Sequence, residues 1–459
     1  MTPTGMVSIL DTDLVKLTMH CAILKYFPVV EAVYSLKNRT SEKKFSRQAF
    51  ESLQTQIEKL QYLQISDQEI EYLEKACPHL GRPYIEFLRR FRFDPERHVI
   101  ATFEVEPNAI GQSQMGNISL IVKGLWIETT LYEVPLLALT SEVYFRFVDS
   151  DWTYSEQESK AYSKGMRLLR AGCCFGEYGT RRRRDFHTQD IVMKGLAKAK
   201  RDGEQMGLPG SVNGTSNVYL AMQHNLKPMG TVGHEWFMGI AALSGDYRAS
   251  TAIALAYWLH SFGRDFWLVA PTDTLGTQVY LDTFQQFIPP IHALPAYGDF
   301  EKYSNAIMTN SPFGSGERFA DVFNGVRQDS GNPISFIEKL KHFYDQAGIA
   351  TRKTLVFSDS LNVDLCLEYQ ALAEKAGFDS TFGVGTSFTN DFVNTTTGAK
   401  STPLNVVMKP ISFNGVYVVK LGDTAGKNSG DDALVQRVKT ELGYTEMPWS
   451  GSDESNRWE

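Results

Sequence analysis

The chain lacks any apolar run long enough to cross a bilayer. Its longest stretches, such as Ile253 to Leu259 and Leu355 to Phe357, fall far short of the ~20 residues a spanning helix needs. The first residues show no basic flank leading into an apolar run and a small-residue cleavage site, so no secretory signal is expected. Cysteine is scarce. Cys21, Cys77, Cys173, Cys174 and Cys366 form no CxxC pair and no Cys/His cluster with zinc spacing. An odd, scattered set is poor material for a disulfide framework, and a reducing compartment is the expectation. Positive charge is also short: 46 Lys+Arg against 53 Asp+Glu leave a net charge of −7. That balance argues against a general nucleic-acid binder, which needs a basic footprint. What remains is 459 residues with 42% apolar and 22% charged side chains, an ordinary soluble globular composition that excludes a disordered, collagen-like or coiled-coil protein. Length alone suggests about three domain units, of which a barrel would absorb more than one.

The first ~95 residues read as mainly helical. Asp11, Thr12 or Asp13 can cap a helix running to about Leu24, and Ser41 to Leu63 is charged and amphipathic. Ser66 and Glu69 form a capping box, with Ile65 and Ile70 as its hydrophobic staple. Two strands are expected over His98 to Val105 and Ile118 to Gly124, with Pro107, Asn108, Gly111 and Gly116 as punctuation. From about Glu133 to Gly385, helices alternate with short buried strands. Phe266 to Ala270 ends in Pro271-Thr272-Asp273, and Thr354 to Phe357 ends in Ser358-Asp359-Ser360. A helix from about Leu361 to Ala376 follows, with its stripe on Leu361, Leu365, Tyr369, Leu372 and Ala376. Gly377 closes it, and Thr381 to Val384 is the next strand. That βαβ unit implies a parallel sheet or barrel with ligands at the strands' C-terminal ends. Two further strands are expected over Asn405 to Met408 and Gly415 to Leu421. A loose loop over Gly422 to Asp432 and a frayed tail from Pro448 follow. The fold class is therefore α/β: an irregular α/β barrel over 133–403, and an α+β domain over 1–132 completed by 404–459.

Five constellations can carry chemistry. Phe175 to Arg184 ends in four consecutive arginines, which read equally as a solvated basic face or as an anion seat built by Arg181 and one neighbour beside the flat face of Tyr178. Gly230 to Gly239 places His234 at a helix start, where the dipole disfavours imidazolium and favours an anion. A satisfied structural histidine is the plainer reading of that stretch alone. Gly214-Thr-Ser-Asn217 suits an ordinary N-cap. In Val326 to Pro333, Asn332 and Pro333 form a cap and first turn, while Arg327 and Asp329 suit either a structural ion pair or a sugar-phosphate and metal-bearing ligand. In Phe382 to Asp391, Gly383 and Gly385 allow close backbone approach to a phosphate, with Thr386 and Ser387 adding hydroxyls. The remaining histidines, His20, His79, His98, His187, His224, His260, His292 and His342, lack metal-ligand spacing and read as structural or surface residues.

Taken in order, these motifs resemble the nicotinate phosphoribosyltransferases of fungal type, within the type II phosphoribosyltransferases. The carrying segments are Leu10 to Met19, Trp126 to Leu137, Glu177 to Arg182, Gly214 to Asn217, Gly230 to His234, Arg327 to Pro333 and Gly383 to Asp391, spread over nearly the whole chain. The resemblance implies that nicotinate and phosphoribosyl pyrophosphate give nicotinate mononucleotide and pyrophosphate in NAD salvage. It further implies Mg²⁺ and coupled ATP hydrolysis through a phosphohistidine at His234. By the same resemblance Arg327 and Thr231 contact nicotinate, Arg181 lies by the ligand's charged groups and Tyr178 stacks on the pyridine ring. Gly383, Gly385 and Thr386 hold the 5-phosphate. Asp273 and Asp329, with Ser330 and Gly331, serve the ribose, pyrophosphate or Mg²⁺, Asp329 being the metal ligand.

Ser216 stands where the nicotinamide-using relatives carry an aspartate, which suits nicotinate's negative charge. Val15 stands where the family has a tyrosine that a neighbouring subunit lays on the pyridine ring, a loss of about 0.5–1.5 kcal/mol of stacking. The implied protein is a cytoplasmic homodimer, with a nuclear pool left open, and binds neither nucleic acid nor membrane. The rival readings are the same chemistry on nicotinamide or quinolinate, a non-catalytic phosphoribosyl-ligand binder, and a nucleic-acid binder using Arg181 to Arg184.

Overall fold

The structure, a computed structural model, describes residues 4–106, 114–295, 316–424 and 428–445. The strands in chain order are β1 (Glu31–Asn38), β2 (Phe45–Ser46), β3 (Val99–Val105), β4 (Met115–Leu125), β5 (Cys174–Glu177), β6 (Ser211–Thr215), β7 (Val269–Pro271), β8 (Gly325–Gln328), β9 (Thr354–Phe357), β10 (Asp379–Val384), β11 (Phe392–Val393), β12 (Lys400–Ser401), β13 (Val406–Phe413) and β14 (Val416–Tyr417). They divide by direction. An antiparallel sheet runs β14-β13-β1-β4-β2, with β3 also on β4; a parallel sheet runs β6-β5-β10-β9-β8-β7; β11 and β12 form a small ribbon. The antiparallel sheet thus draws strands from both ends of the chain. Its β1 and β13 alternate buried and part-buried residues, as a sheet with one covered face should. The parallel strands β7 and β9 are short continuous buried runs, as strands covered on both faces should be.

Local signals act where the sequence places them. Ser66 and Glu69 form the capping box of the helix Asp67–Ala76. Asn332 caps the helix Pro333–Gln346, with Pro333 in its first turn, a cap worth about 1 kcal/mol. The unit β9, helix Val363–Lys375 and β10 is a parallel crossover between adjacent strands, closed by Gly377 at φ +89°. Its buried stripe differs from the expected one. Val363, Cys366, Tyr369 and Ala373 face the sheet, while Leu365, Leu372 and Ala376 pack half-buried on the flank, because a three-residue step fits the covered side better than the four-residue one.

Two further expectations need correcting. Gly116 lies within β4 rather than in a turn, at a point where a Cβ would come 2.2 Å from the Glu104 carbonyl oxygen of β3. Pro107, Asn108 and Gly111, like the tail from Pro448, lie outside the described residues. The loop expected to be loose is anchored: Leu421 N donates to Thr274 O at 2.8 Å, Gly422 N to Asp273 O at 3.0 Å and Gly331 N to Thr424 Oγ1 at 2.9 Å. All five cysteines are unpaired, and among the described residues no helix is long and apolar enough to cross a membrane.

Among the described residues no ladder joins β7 to β6. The seam is filled by the segment after β6, which makes a parallel bridge from Thr215 to Pro228 and continues into the helix His234–Ser244. That helix also packs on β13, and it does so closely. A Cβ on Gly239 would sit 2.7 Å from the Trp126 ring and 3.2 Å from Phe413. Glycine at mid-helix costs about 1 kcal/mol against alanine, and here it lets the helix rest directly on the antiparallel sheet. The seam helix therefore ties the two sheets together and fixes where His234 points.

Candidate active site

Tyr178 follows β5 and Ser216 follows β6. Arg327 is on β8 with Asp329 just beyond it, and Gly383 is on β10 with Gly385 and Thr386 beyond. These are the C-terminal ends of parallel strands, where the backbone stops pairing and side chains can converge. With Val15, Arg181, Thr231 and His234 they line one cavity of about 400 Å³.

His234 is the first residue of its helix, capped by Gly233. Its Nε2 lies 2.8 Å from Asp329 Oδ2 and 3.5 Å from Asp273 Oδ1, and Nδ1 lies 2.9 Å from Thr274 Oγ1. A carboxylate can only accept, so the short contact assigns the ring proton to Nε2 and leaves Nδ1 a lone pair that accepts from Thr274. Burial, then the nearby Lys420 ammonium, lower the His234 pKa; Asp273 and Asp329 oppose them. The imidazole is therefore neutral at neutral pH. Burial acts against both carboxylates, yet Arg327, His234 and Lys420 hold Asp329 well below the usual range, and Lys420 and His234 lower Asp273. Ser358 donates to Asp329 Oδ1 at 2.8 Å, and Ser330 to Asp273 Oδ2 at 2.6 Å. Asp273 Oδ1 is buried and accepts no hydrogen bond.

Across the cavity, Arg327 is underused. Its Nη1 reaches Val232 O at a long 3.4 Å, its Nε donates to nothing, and Asp329 is 3.9 Å away. A guanidinium with spare donors facing a cavity is a seat for an anion. The Tyr178 ring lies against the glycines of two strands. A Cβ on Gly383 would meet it at 3.3–3.5 Å and one on Gly176 at 3.0 Å. Gly383 therefore leaves room for an aromatic side chain, whatever it does for a phosphate.

The arginine run resolves residue by residue. Arg181 and Arg182 line the cavity. Arg181 Nε donates to Asp13 Oδ2 at 2.8 Å and Nη1 pairs with Glu133 Oε1 at 2.9 Å. Arg183 is wholly buried in a bidentate pair with Asp11, at 2.7 and 2.8 Å. The Arg184 guanidinium sits 3.7 Å from the Phe145 ring centroid and 4.2 Å from that of Phe392, and donates to Ser401 of β12 at 2.9 Å. The solvated-face reading is thus excluded: Arg183 and Arg184 are interior, Arg181 and Arg182 line the cavity, and each guanidinium meets its own carboxylate, carbonyl or ring.

Val15 lies in the wall of its own chain's cavity. A Cβ on Gly230 would come 2.6 Å from its backbone nitrogen, and Thr18 donates to Thr231 O at 2.8 Å. Ser216 donates to Asp13 Oδ1 at 2.7 Å, so a carboxylate already stands beside that serine, neutralised by Arg181. Asp273, Ser330 and Gly331 are not in the cavity wall. Ser330 accepts from Asp423 N at 2.9 Å while donating to Asp273, and the pair holds Asp273 in place behind His234. Asn217, the plain N-cap of the sequence reading, does cap the helix Val218–Gln223.

Sequence reasoning missed Lys420, Asp13, Glu133 and Lys16. Lys16 is buried between Glu133 and Glu235, and Glu235 accepts from Tyr34, Trp126 and Thr130 at 2.7–2.9 Å. Only Asp13 had a local signal. It stands at an N-cap position yet makes no capping bond, its side chain being taken by Arg181 and Ser216.

The model of the nicotinate phosphoribosyltransferase (NAPRTase) family matches residues 173–446, and that family's N-terminal domain model matches residues 10–141. The chain belongs to the nicotinate phosphoribosyltransferase family. It is 42% identical to a Schizosaccharomyces pombe protein named probable nicotinate phosphoribosyltransferase, over 95% of this chain and 98% of that one. It is 39% identical to the Saccharomyces cerevisiae nicotinate phosphoribosyltransferase, over 98% of each. A solved structure of Porphyromonas gingivalis nicotinate phosphoribosyltransferase superposes with a TM-score of 0.78 at 30% identity, covering 95% of this chain and all of that one. The nicotinate phosphoribosyltransferases are an enzyme family, and the α/β fold with its parallel sheet is theirs.

Proposed function

We propose that this enzyme transfers the phosphoribosyl group of phosphoribosyl pyrophosphate to nicotinate, with ATP hydrolysis coupled through a phosphohistidine at His234. In the transfer, the pyridine nitrogen forms a bond to the anomeric carbon while the bond to pyrophosphate breaks, its electrons leaving with pyrophosphate. The carbon becomes cation-like on the way, so catalysis rests on holding two charged reactants in line. Arg327 takes the nicotinate carboxylate with its spare donors, Tyr178 gives the ring a flat face, and Thr231 and Ser216 bound the pocket with Val15. Arg181 keeps the Asp13 carboxylate from repelling the substrate. Gly385 and Thr386, beyond β10, lie at the strand end suited to the 5-phosphate.

The observation that carries the ATP-coupled reading is the neutral His234 with its lone pair on Nδ1. That nitrogen can attack the γ-phosphorus of ATP, ADP leaving with the electrons of the broken bond. Asp329 then holds the Nε2 proton and stabilises the charge that develops on the ring.

Asp273 and Asp329 offer carboxylate oxygens within 4.8 Å of one another, and the buried Asp273 Oδ1 accepts no hydrogen bond. Such a donor set fits Mg²⁺. When bound, Mg²⁺ supplies charge to neutralise phosphate oxygens. The test compares pyrophosphate release with nicotinate and with nicotinamide, each with and without ATP, in wild type and His234→Ala. Turnover on nicotinate alone, raised by ATP, with an acid-labile phosphate on wild type but not on the variant, is the expected result. ATP stimulation retained in His234→Ala would overturn the phosphohistidine.

A further inference from the structure

The Asp273–Asp329 pair already has a cation of its own. Lys420 Nζ lies 3.1 Å from Asp273 Oδ2 and 3.9 Å from Asp329 Oδ2, so one ammonium reaches both carboxylates. The lysine backbone is pinned. Its N–H donates to Ser429 O at 2.8 Å and its carbonyl accepts from Ser429 N at 2.9 Å, while Leu421 is tied to Thr274. The flexible four-carbon stem leaves the ammonium itself able to move. Two carboxylates with oxygens within 4.8 Å of each other draw a cation between them, and Lys420 is the ammonium that lies there. Asp273 Oδ1 is the lone pair that this monovalent donor leaves unused.

We propose that Lys420 holds the cation position between Asp273 and Asp329 and is displaced from it when a divalent cation binds. Metal loading and lysine release are then one event. An ammonium and a divalent ion within a few ångströms of each other repel in this half-buried setting, so the carboxylates hold one or the other. The inference rests on reading the cluster as the Mg²⁺ site of the proposed reaction.

Two measurements test it on the full chain without substrates. Mn²⁺ binding is followed by the loss of the free-ion electron paramagnetic resonance signal. Lys420→Gln is expected to bind at least about tenfold tighter than wild type, and Lys420→Arg, which keeps the charge, no tighter. Equal or weaker binding in Lys420→Gln, or none in either protein, overturns the proposal. On wild type alone, reductive methylation read by peptide mass spectrometry is expected to label Lys420 several-fold faster with Mn²⁺, while exposed Lys341 is unchanged. Labelling of Lys420 indifferent to Mn²⁺ overturns it even if the variants fail to fold. Neither readout needs turnover, so its failure leaves the nicotinate reaction untouched, and failure of that reaction leaves these results standing.

Discussion

Replacing Arg327 by methionine tests whether the cavity is a carboxylate seat. The side chain is 20% exposed, and its firmest partners are a 3.4 Å bond to Val232 O and Asp329 at 3.9 Å. Opposite charges ~4 Å apart at an effective dielectric near 20 attract by about 4 kcal/mol. Part of that is offset by stripping water from the nicotinate carboxylate, which leaves about 3 kcal/mol. A loss of that size weakens nicotinate binding by about two orders of magnitude. Calorimetric Kd values for nicotinate and for the isosteric neutral nicotinamide separate charge from shape. Arg327→Met should lose nicotinate affinity about a hundredfold and nicotinamide affinity by less than about threefold. Arg327→Lys keeps a charge beside Asp329 and loses the planar fork, so it should fall between, near tenfold. Equal losses for acid and amide would refute the reasoning, because the site would then have lost its shape rather than its anion seat.

Ser216→Asp puts a carboxylate against Asp13, which the serine hydroxyl now contacts at 2.7 Å; nicotinate KM should rise about tenfold, and an unchanged KM would dismiss Ser216 as a selectivity position. Gly383→Ala pushes a methyl to 3.3 Å from the Tyr178 ring and should raise nicotinate KM several-fold with kcat little changed, whereas a fall in kcat alone would mean the ring does not bear on the base. His20 is buried with Nε2 donating to Ile127 O at 2.7 Å and Nδ1 accepting from Tyr84 at 3.0 Å, and burial lowers its pKa to about 4. The unfolded chain binds the proton more readily between pH 6.5 and 4, so stability is present above pH 6.5 and falls, by up to ~3 kcal/mol, as pH drops to 4. Denaturant midpoints across that window should slope less in His20→Gln than in wild type, and an identical slope would assign the acid sensitivity elsewhere.

Features set by neighbours in sequence were readable in advance. The crossover from β9 to β10, the box at Ser66, the cap at Asn332 and the helix start at His234 each rest on residues within a few positions of one another. What escaped depends on residues far apart. Lys420 sits near the end of the strand expected over Gly415 to Leu421, just before the loop expected to be loose, and only its contact with Asp273, 147 positions earlier, makes it part of the site. The places of Arg183 and Arg184 stayed open because nothing local announces Asp11, Phe145 or Ser401 as partners. Ser330 and Gly331, given phosphate roles by the resemblance alone, turn back towards Asp423 and Thr424.

The place of β1 has a consequence for synthesis. It lies between β4 and β13, so one of its edges has no partner until residue 406 onward has been made. At about 5–20 residues per second, that edge waits roughly 20–80 s on the ribosome. During that time it is an open template for pairing with another chain. The same segment carries Lys420, so assembly of the site and closure of that edge wait on the same stretch of chain. A chain stopped short of β13 would leave a sticky intermediate rather than a weakened enzyme.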